Sequence, residues 1–517
     1  MLPRYFKIRQ NVANRFDSVK PFRNSDTLRY NTAITLPERY KTAHESMIYS
    51  NQPRPESLKS ISDVRHVPFW LDDPASPNPK PPLTENISTD LLVIGAGFAG
   101  LWTALLAKEQ DPSRDIVLLE AGESAIGASG RNGGFLDASI THGFLNGLAR
   151  WPKEIAKLHA LGLKNLREIE STIGRLNIDC DYQLVGEINI ATEPYLLDEF
   201  AQLIELAKPY NIHFQLLDRD QLHRAVKSPV FLGGIKRLDT AIINPAQLAW
   251  GLRKACLDLG VKIYENSPVT QLEEEDQTVA AHTPRGRVRA HHVALATNAF
   301  PPLLKQISYY VVPVYDYVLM TEPLTEPQRD SIGWHGREGL SDGNNQFHYF
   351  RTTADGRILW GGYDAIYYWN NGFGSHLENR PASFARLAEH FFQAFPQLEG
   401  LRFTHAWGGA IDTCSRFSPF WGTAHHGKTA YSMGYTGLGV GATRFGAQVM
   451  LDLLDGKKTE RTELEMVQTK PLPFPPEPLR SLGINLSRWS LDQADHNQGR
   501  ENLWLRTMNW LGLGFDS

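Results

Sequence analysis

Cysteine is scarce in this chain: Cys180, Cys256 and Cys414 are the only three in 517 residues, and they lie far apart. That excludes a disulfide framework, a CxxC redox pair and the paired-cysteine spacing of a zinc site, and it points to a reducing, cytoplasmic setting with no metal. Charge of one sign is also lacking. A net charge of -4, from 53 basic and 57 acidic residues, indicates no polyanionic partner, so nucleic acid binding is not expected. Long apolar runs are missing too. The longest uncharged stretch, residues 91–107, is interrupted by Gly95, Gly97 and Gly100 and is short for a bilayer, so no transmembrane span is expected. Residues 1–41 carry nine basic side chains against three acidic ones without a secretory apolar stretch. A basic arm is expected there, with an organellar transit peptide as the alternative in a eukaryotic source.

What is present is a chain of alternating signals. Residues 1–85 read as an arm and linker, proline-dense at 72–82, with Phe69, Trp70 and Leu71 as an anchor on the body. Apolar runs at 91–94 and 115–120 flank a helical stretch at 101–108, which makes a βαβ unit. Helices are expected over 150–175, 193–208, 245–259, 382–395 and 442–454, and strands at 261–264, 292–296 and 429–433. Alternation from 309 to 363, with an Asp355-Gly356 turn, reads as antiparallel hairpins. The expected fold is α/β. A Rossmann-like dinucleotide domain (86–149, 241–300 and 401–460) is interleaved with an inserted α+β substrate domain (150–240 and 301–400) on a largely antiparallel sheet, and 461–517 forms a tail.

Gly95-Ala96-Gly97-Phe98-Ala99-Gly100 is GxGxxG placed after a strand and before a helix. The first glycine permits the tight turn, the second admits a pyrophosphate to the backbone, the third allows close helix packing, and the helix N-terminus favours the anion. Glu120, followed by Ala121, closes the next strand where a ribose diol accepts an acid. A second cluster, Ser129-Gly130-Arg131-Asn132-Gly133-Gly134, suits the far phosphate and ribitol of FAD, which NAD needs less. Near the C-terminus Gly434, Tyr435, Gly437, Leu438 and Gly439 precede a helix whose N-terminus suits negative charge on reduced flavin. No acid follows at a strand end, so there is no second fingerprint for NADPH.

These motifs, in this order, resemble the FAD-dependent D-amino-acid oxidase and sarcosine oxidase superfamily over most of residues 88–460. The GASGRNGG wording is most similar to its gamma-glutamylputrescine oxidoreductase-like branch. The resemblance implies an adenine contact at Val269, a strand end at Thr297, and a flavin approach through Gly408. It implies hydride transfer from the carbon beside nitrogen of an amine or amino acid to FAD, then imine hydrolysis, with oxygen or another acceptor taking the electrons. Where some relatives tether flavin through cysteine this chain has Gly409, so FAD is expected to be noncovalent. The 347–363 hairpin lacks the lysine many oxidases carry, which leaves oxidase and dehydrogenase both open. Candidate substrate residues are Phe347, Tyr349, Arg351, Arg416 and Tyr435, with either arginine able to hold a carboxylate or an ordinary ion pair. The alternatives are a hydroxy-acid oxidoreductase and a flavin-binding subunit acting through a partner.

Overall fold

The computed structural model describes residues 49–511 and 513; the basic stretch 1–41 lies outside them. Strand Asn86–Ile94, helix Phe98–Gln110 and strand Ile116–Leu119 form the βαβ unit. Strand Asn86–Ile94 pairs in parallel with both Ile116–Leu119 and Arg287–Leu295, and the sheet extends through Lys262–Tyr264 on one side and Thr429–Met433 on the other. Residues 91–94 and 116–119 of the central strands are buried and read as unbroken Leu, Val and Ile, as a parallel sheet requires. Helix Gly439–Leu454 packs beside Phe98–Gln110 in the same core.

A second sheet runs Ile366–Tyr367, Val312–Thr321, Ile358–Gly362, His348–Thr352, Gly339–Asp342, Glu187–Ala191, Gly233–Arg237 and Gln215–Leu217. Its pairs are antiparallel except Gly339–Asp342 with Glu187–Ala191. Strand Phe403–Thr413 joins this sheet by pairing with Val312–Thr321, so the sheet reaches past residue 400, where the sequence pattern suggested a return to the dinucleotide unit. Helix Ile155–Arg175 likewise packs into the dinucleotide core rather than an inserted unit, because its apolar stripe faces helix Gly439–Leu454. Trp70 is 3 % exposed and donates its Nε1–H to Asn132 O at 2.9 Å, which fixes the arm across the second glycine cluster. The tail folds into helices Leu479–Asp495 and Leu503–Trp510. Among the described residues no helix is long and apolar enough to cross a membrane, and no group of three or more His, Cys, Asp or Glu is arranged to hold a metal.

Candidate active site

A cavity of about 1930 Å³ is lined by both large sheets. Ordinary small-ligand pockets occupy roughly 300–1,000 Å³, so this one has room for a dinucleotide and a substrate together. At one end lies the first glycine turn. Gly95 has φ +107°, and a Cβ there would sit 2.5 Å from Ala296 O; a Cβ on Gly100 would overlap Gly95 O. The turn and the close helix packing each demand glycine. Gly97 caps helix Phe98–Gln110, whose first N–H, on Phe98, donates to Ser129 Oγ at 2.9 Å. The second cluster is thereby folded over the helix N-terminus.

Glu120 accepts the N–H of Ala96 at 2.6 Å and of Gly122 at 2.9 Å. Burial pushes its carboxyl up, and those bonds oppose the shift. Ala99, Ala121, Asn132, Val269 and Thr297 line the same end, and Thr297 Oγ1 is buried without a partner. The cradle and this orphan hydroxyl fit the polar length of FAD. Asn132 braces its turn by donating to Ala128 O and Ser129 O, both at 3.0 Å, and by accepting Gly134 N–H at 2.8 Å. Arg131 donates to Ile126 O at 2.7 Å, pairs with Glu378 at 2.7 Å, and donates to Gly408 O of strand Phe403–Thr413 at 3.1 Å, which links the cluster to the second sheet.

The last glycine loop also lines the cavity. Gly437, at φ +91°, has nothing within 4 Å of a would-be Cβ, and Gly437, Leu438 and Gly439 face the space. Asp412 holds this loop by accepting the N–H of Gly434 at 2.7 Å and of Tyr435 at 3.2 Å; burial lifts its carboxyl to about 6 against those bonds. Ala96, Gly100, Gly130, Gly134, Gly408 and Gly434 are not in the lining; the glycines among them admit neighbouring groups, as Gly130 admits Leu71 and Gly408 the Tyr317 ring. Cys414 is fully buried with Sγ directed at Ser418 O (3.1 Å) and Gly434 O (3.4 Å), and burial pushes its thiol up.

The candidate substrate residues separate in space. Phe347 and Tyr349 line the cavity, and Tyr349 donates to Asp316 Oδ2 at 2.6 Å. Burial pushes the Tyr349 hydroxyl up, and Asp316 adds to that. Tyr435 contributes its ring to the wall, while its hydroxyl turns to Ser432 Oγ at 2.5 Å. Neither arginine faces the cavity. Arg351 is 0 % exposed, donates to Ile243 O at 2.5 Å and lies 5.4 Å from the Trp70 ring, because Trp70 and the Gly134 turn cover the strand face that carries it. Arg416 donates to the carbonyls of Pro419, Met466 (3.0 Å) and Thr469 (2.9 Å), tying the chain after Thr413 to the tail. Both are engaged in structural bonds outside the cavity lining, the alternative to a substrate carboxylate for each.

Other lining residues carry no motif. Arg237 joins Asp137 and Glu187, the latter at 2.7 Å, and Glu187 also accepts Ser341 Oγ at 3.0 Å. Asn189 Oδ1 and Gln346 Oε1 are buried without partners. Asp316 is the one acid in strand Val312–Thr321, and a charge inside an apolar strand was a readable signal that sequence reasoning passed over. The tail supplies a wall through Leu479, Leu482, Leu486, Arg488 and Trp504. Asp495 of the tail accepts the N–H of Asn345 at 3.0 Å and of Gln346 at 2.9 Å, both on the loop beside Phe347.

A family profile described as FAD dependent oxidoreductase (DAO) matches residues 90–453. The chain is 30 % identical to the probable oxidoreductase OrdL of Haemophilus influenzae over 73 % of its own length and 85 % of that protein. It is 31 % identical to the gamma-glutamylputrescine oxidoreductase of Escherichia coli over 72 % and 85 %. Glycine oxidase from Geobacillus kaustophilus superposes with a TM-score of 0.63 at 17 % identity, covering 74 % of this chain and 99 % of that one, which is a likeness of fold.

Proposed function

The chain belongs to the DAO family of FAD-dependent oxidoreductases, and on that premise we propose that it oxidises an amine or amino acid at the carbon next to nitrogen, releasing an imine that water hydrolyses. Bound FAD supplies the hydride acceptor for that chemistry. The N-terminus of helix Phe98–Gln110 and the Gly95–Gly97 turn would hold its pyrophosphate, Glu120 a ribose, and the Gly437–Gly439 backbone the flavin end. With Cys414 turned to carbonyls and Gly409 at the expected tether position, noncovalent binding is the supported mode.

The observation that carries the reading is the charge of the chamber beyond the glycine loops. Asp137, Glu187, Asp316 and Asp342 line it, while Arg237 is shared between two carboxylates and Arg131 is paired with Glu378. These carboxylates attract a cationic nitrogen, and Arg480 and Arg488 of the tail also line the cavity. Arg351 and Arg416 are both outside the lining, and the carboxylates on the strands favour a substrate that carries a cationic nitrogen over a hydroxy acid. These side chains bind and orient the substrate nitrogen, and the tail narrows the access of bulk water.

The deciding experiment is anaerobic bleaching of the 450 nm flavin band by a panel of straight-chain primary amines, N-methyl amines, amino acids and hydroxy acids. Amines or amino acids are expected to bleach it; bleaching by hydroxy acids alone would replace the reading. Hydrogen peroxide released on admitting air assigns the acceptor as oxygen, and its absence assigns another acceptor.

A further inference from the structure

Strand Val312–Thr321 presents Val312, Val314 and Val318 to the cavity, and between them Asp316. A carboxylate in such a row carries a desolvation cost that packing alone does not repay. Its Oδ2 accepts the Tyr349 hydroxyl at 2.6 Å and its Oδ1 accepts the Tyr317 N–H at 2.7 Å. The other groups facing it are the Gly362 N–H and Asp364, and Asp364 is itself tied to Arg380 and Arg386. Across the sheet its partner is Gly409, beyond which lies Arg131 with Glu378.

Tyr349 is clamped where the two halves meet. A Cβ on Gly133, in the second glycine cluster, would sit 2.8 Å from the Tyr349 ring, and one on Gly361 would sit 2.7 Å from its hydroxyl. The ring is therefore wedged between the cofactor cluster and the substrate sheet, and it aims its hydroxyl at Asp316.

The geometry points to Asp316 as the group that takes the proton from the substrate ammonium, with Tyr349 as its positioning residue. This deepens the amine reading and rests on it. In the step the ammonium N–H bond breaks, the proton goes to an Asp316 carboxylate oxygen, and the electron pair stays on nitrogen. The neutral amine is then two-electron oxidised: the adjacent C–H leaves as hydride to FAD and the nitrogen pair forms the C=N bond. Asp316 later returns its proton to water. Enclosure pushes its carboxyl up to about 6, against the bonds from Tyr349 and Tyr317, which puts it in range of a base working near neutrality.

The test uses FAD-loaded wild type, Asp316→Asn and Tyr349→Phe. With the best-bleaching amine of the panel, the wild-type bleaching rate should rise with pH through a lower limb near 6. In D316N the rate at pH 7 should fall about a hundredfold or more. The limb should vanish, leaving a rate that follows the free-amine fraction of the substrate. In Y349F, which loses a bond favouring the carboxylate, the limb should move to higher pH, an effect that a packing defect does not produce. A readout without substrate is the flavin absorbance of the resting holoenzyme titrated from pH 4.5 to 8: a step near 6 is expected in wild type, and D316N should lose the Asp316 part of it, keeping only what Asp412, also lifted to about 6, contributes; an unchanged step counts against the assignment. Wild-type bleaching by amines together with an unchanged D316N profile overturns the proposal alone; no bleaching of wild type by any amine overturns the reading and the proposal with it. If D316N does not take up FAD, the Y349F limb decides, and an unmoved limb counts against the assignment.

Discussion

The two ends of the cavity are made of different material. The dinucleotide end is chiefly backbone: glycine turns, helix N-termini and one acid, Glu120, held by two N–H groups. The substrate end is chiefly side chain: Asp316, Tyr349, Glu187 and Arg237 on four strands, closed by a tail beyond the 90–453 family match. Backbone geometry tolerates almost no substitution and lets one cofactor recur. A chamber of side chains is free to change with the substrate.

The sharpest way to break that comparison is Gly100→Ala. Its Cβ would overlap Gly95 O, so helix Phe98–Gln110 must move off the strand. FAD content after desalting, read as the ratio of 450 to 280 nm absorbance, should fall to less than about a tenth of wild type. Retained colour would mean that the dinucleotide end is less rigid than its contacts imply. Arg351→Met comes next. It leaves the carbonyls of Ile243 and Thr352 without their donor, and a loss of about 2–3 kcal/mol in urea unfolding is expected. The substrate KM should stay unchanged, and a selective rise in KM would return this arginine to the substrate.

Asp495→Ala tests the other end. It frees the Asn345 and Gln346 N–H groups and so loosens the loop beside Phe347 while leaving every glycine turn intact. KM should rise about fivefold, near 1 kcal/mol, with FAD content constant. Loss of FAD in this variant would show that the two ends are not separable.

The same division explains what could be read from the chain. Residues 95–100, Glu120 and residues 129–134 carry their geometry locally, since positive φ and close approach require glycine wherever they occur. The dinucleotide fold was therefore legible, and Ser129 and Thr297, named from the sequence, line the cavity. The chamber was not, because Asp316 meets Tyr349 only after strands 33 residues apart pair in one sheet. Tyr349 lines the cavity, and the alternation that named it also named Arg351 beside it. Only the packed Trp70, from residues far upstream, shows that the face is covered there. That strand Phe403–Thr413 pairs with Val312–Thr321 was hidden for a related reason: pairing partners are set by long-range register, which no local pattern records.

The smallest effect separates the ends by pH. Asp316 has a folded pKa of about 6, above the roughly 3.9 of an unfolded aspartate. Between those values the native protein binds the extra proton, so the stability contributed by this group is full below about pH 4 and is lost as pH rises through 6. Asp316→Asn removes that loss. Its melting temperature relative to wild type should therefore climb between pH 4 and 7 and then level, by ~1–2 °C, since cavity water screens part of the charge. Differential scanning calorimetry of the FAD-loaded proteins across that window checks the sign. A variant whose disadvantage is the same at every pH would show that Asp316 enters the native state already ionised, and that the substrate end pays no penalty for its carboxylate.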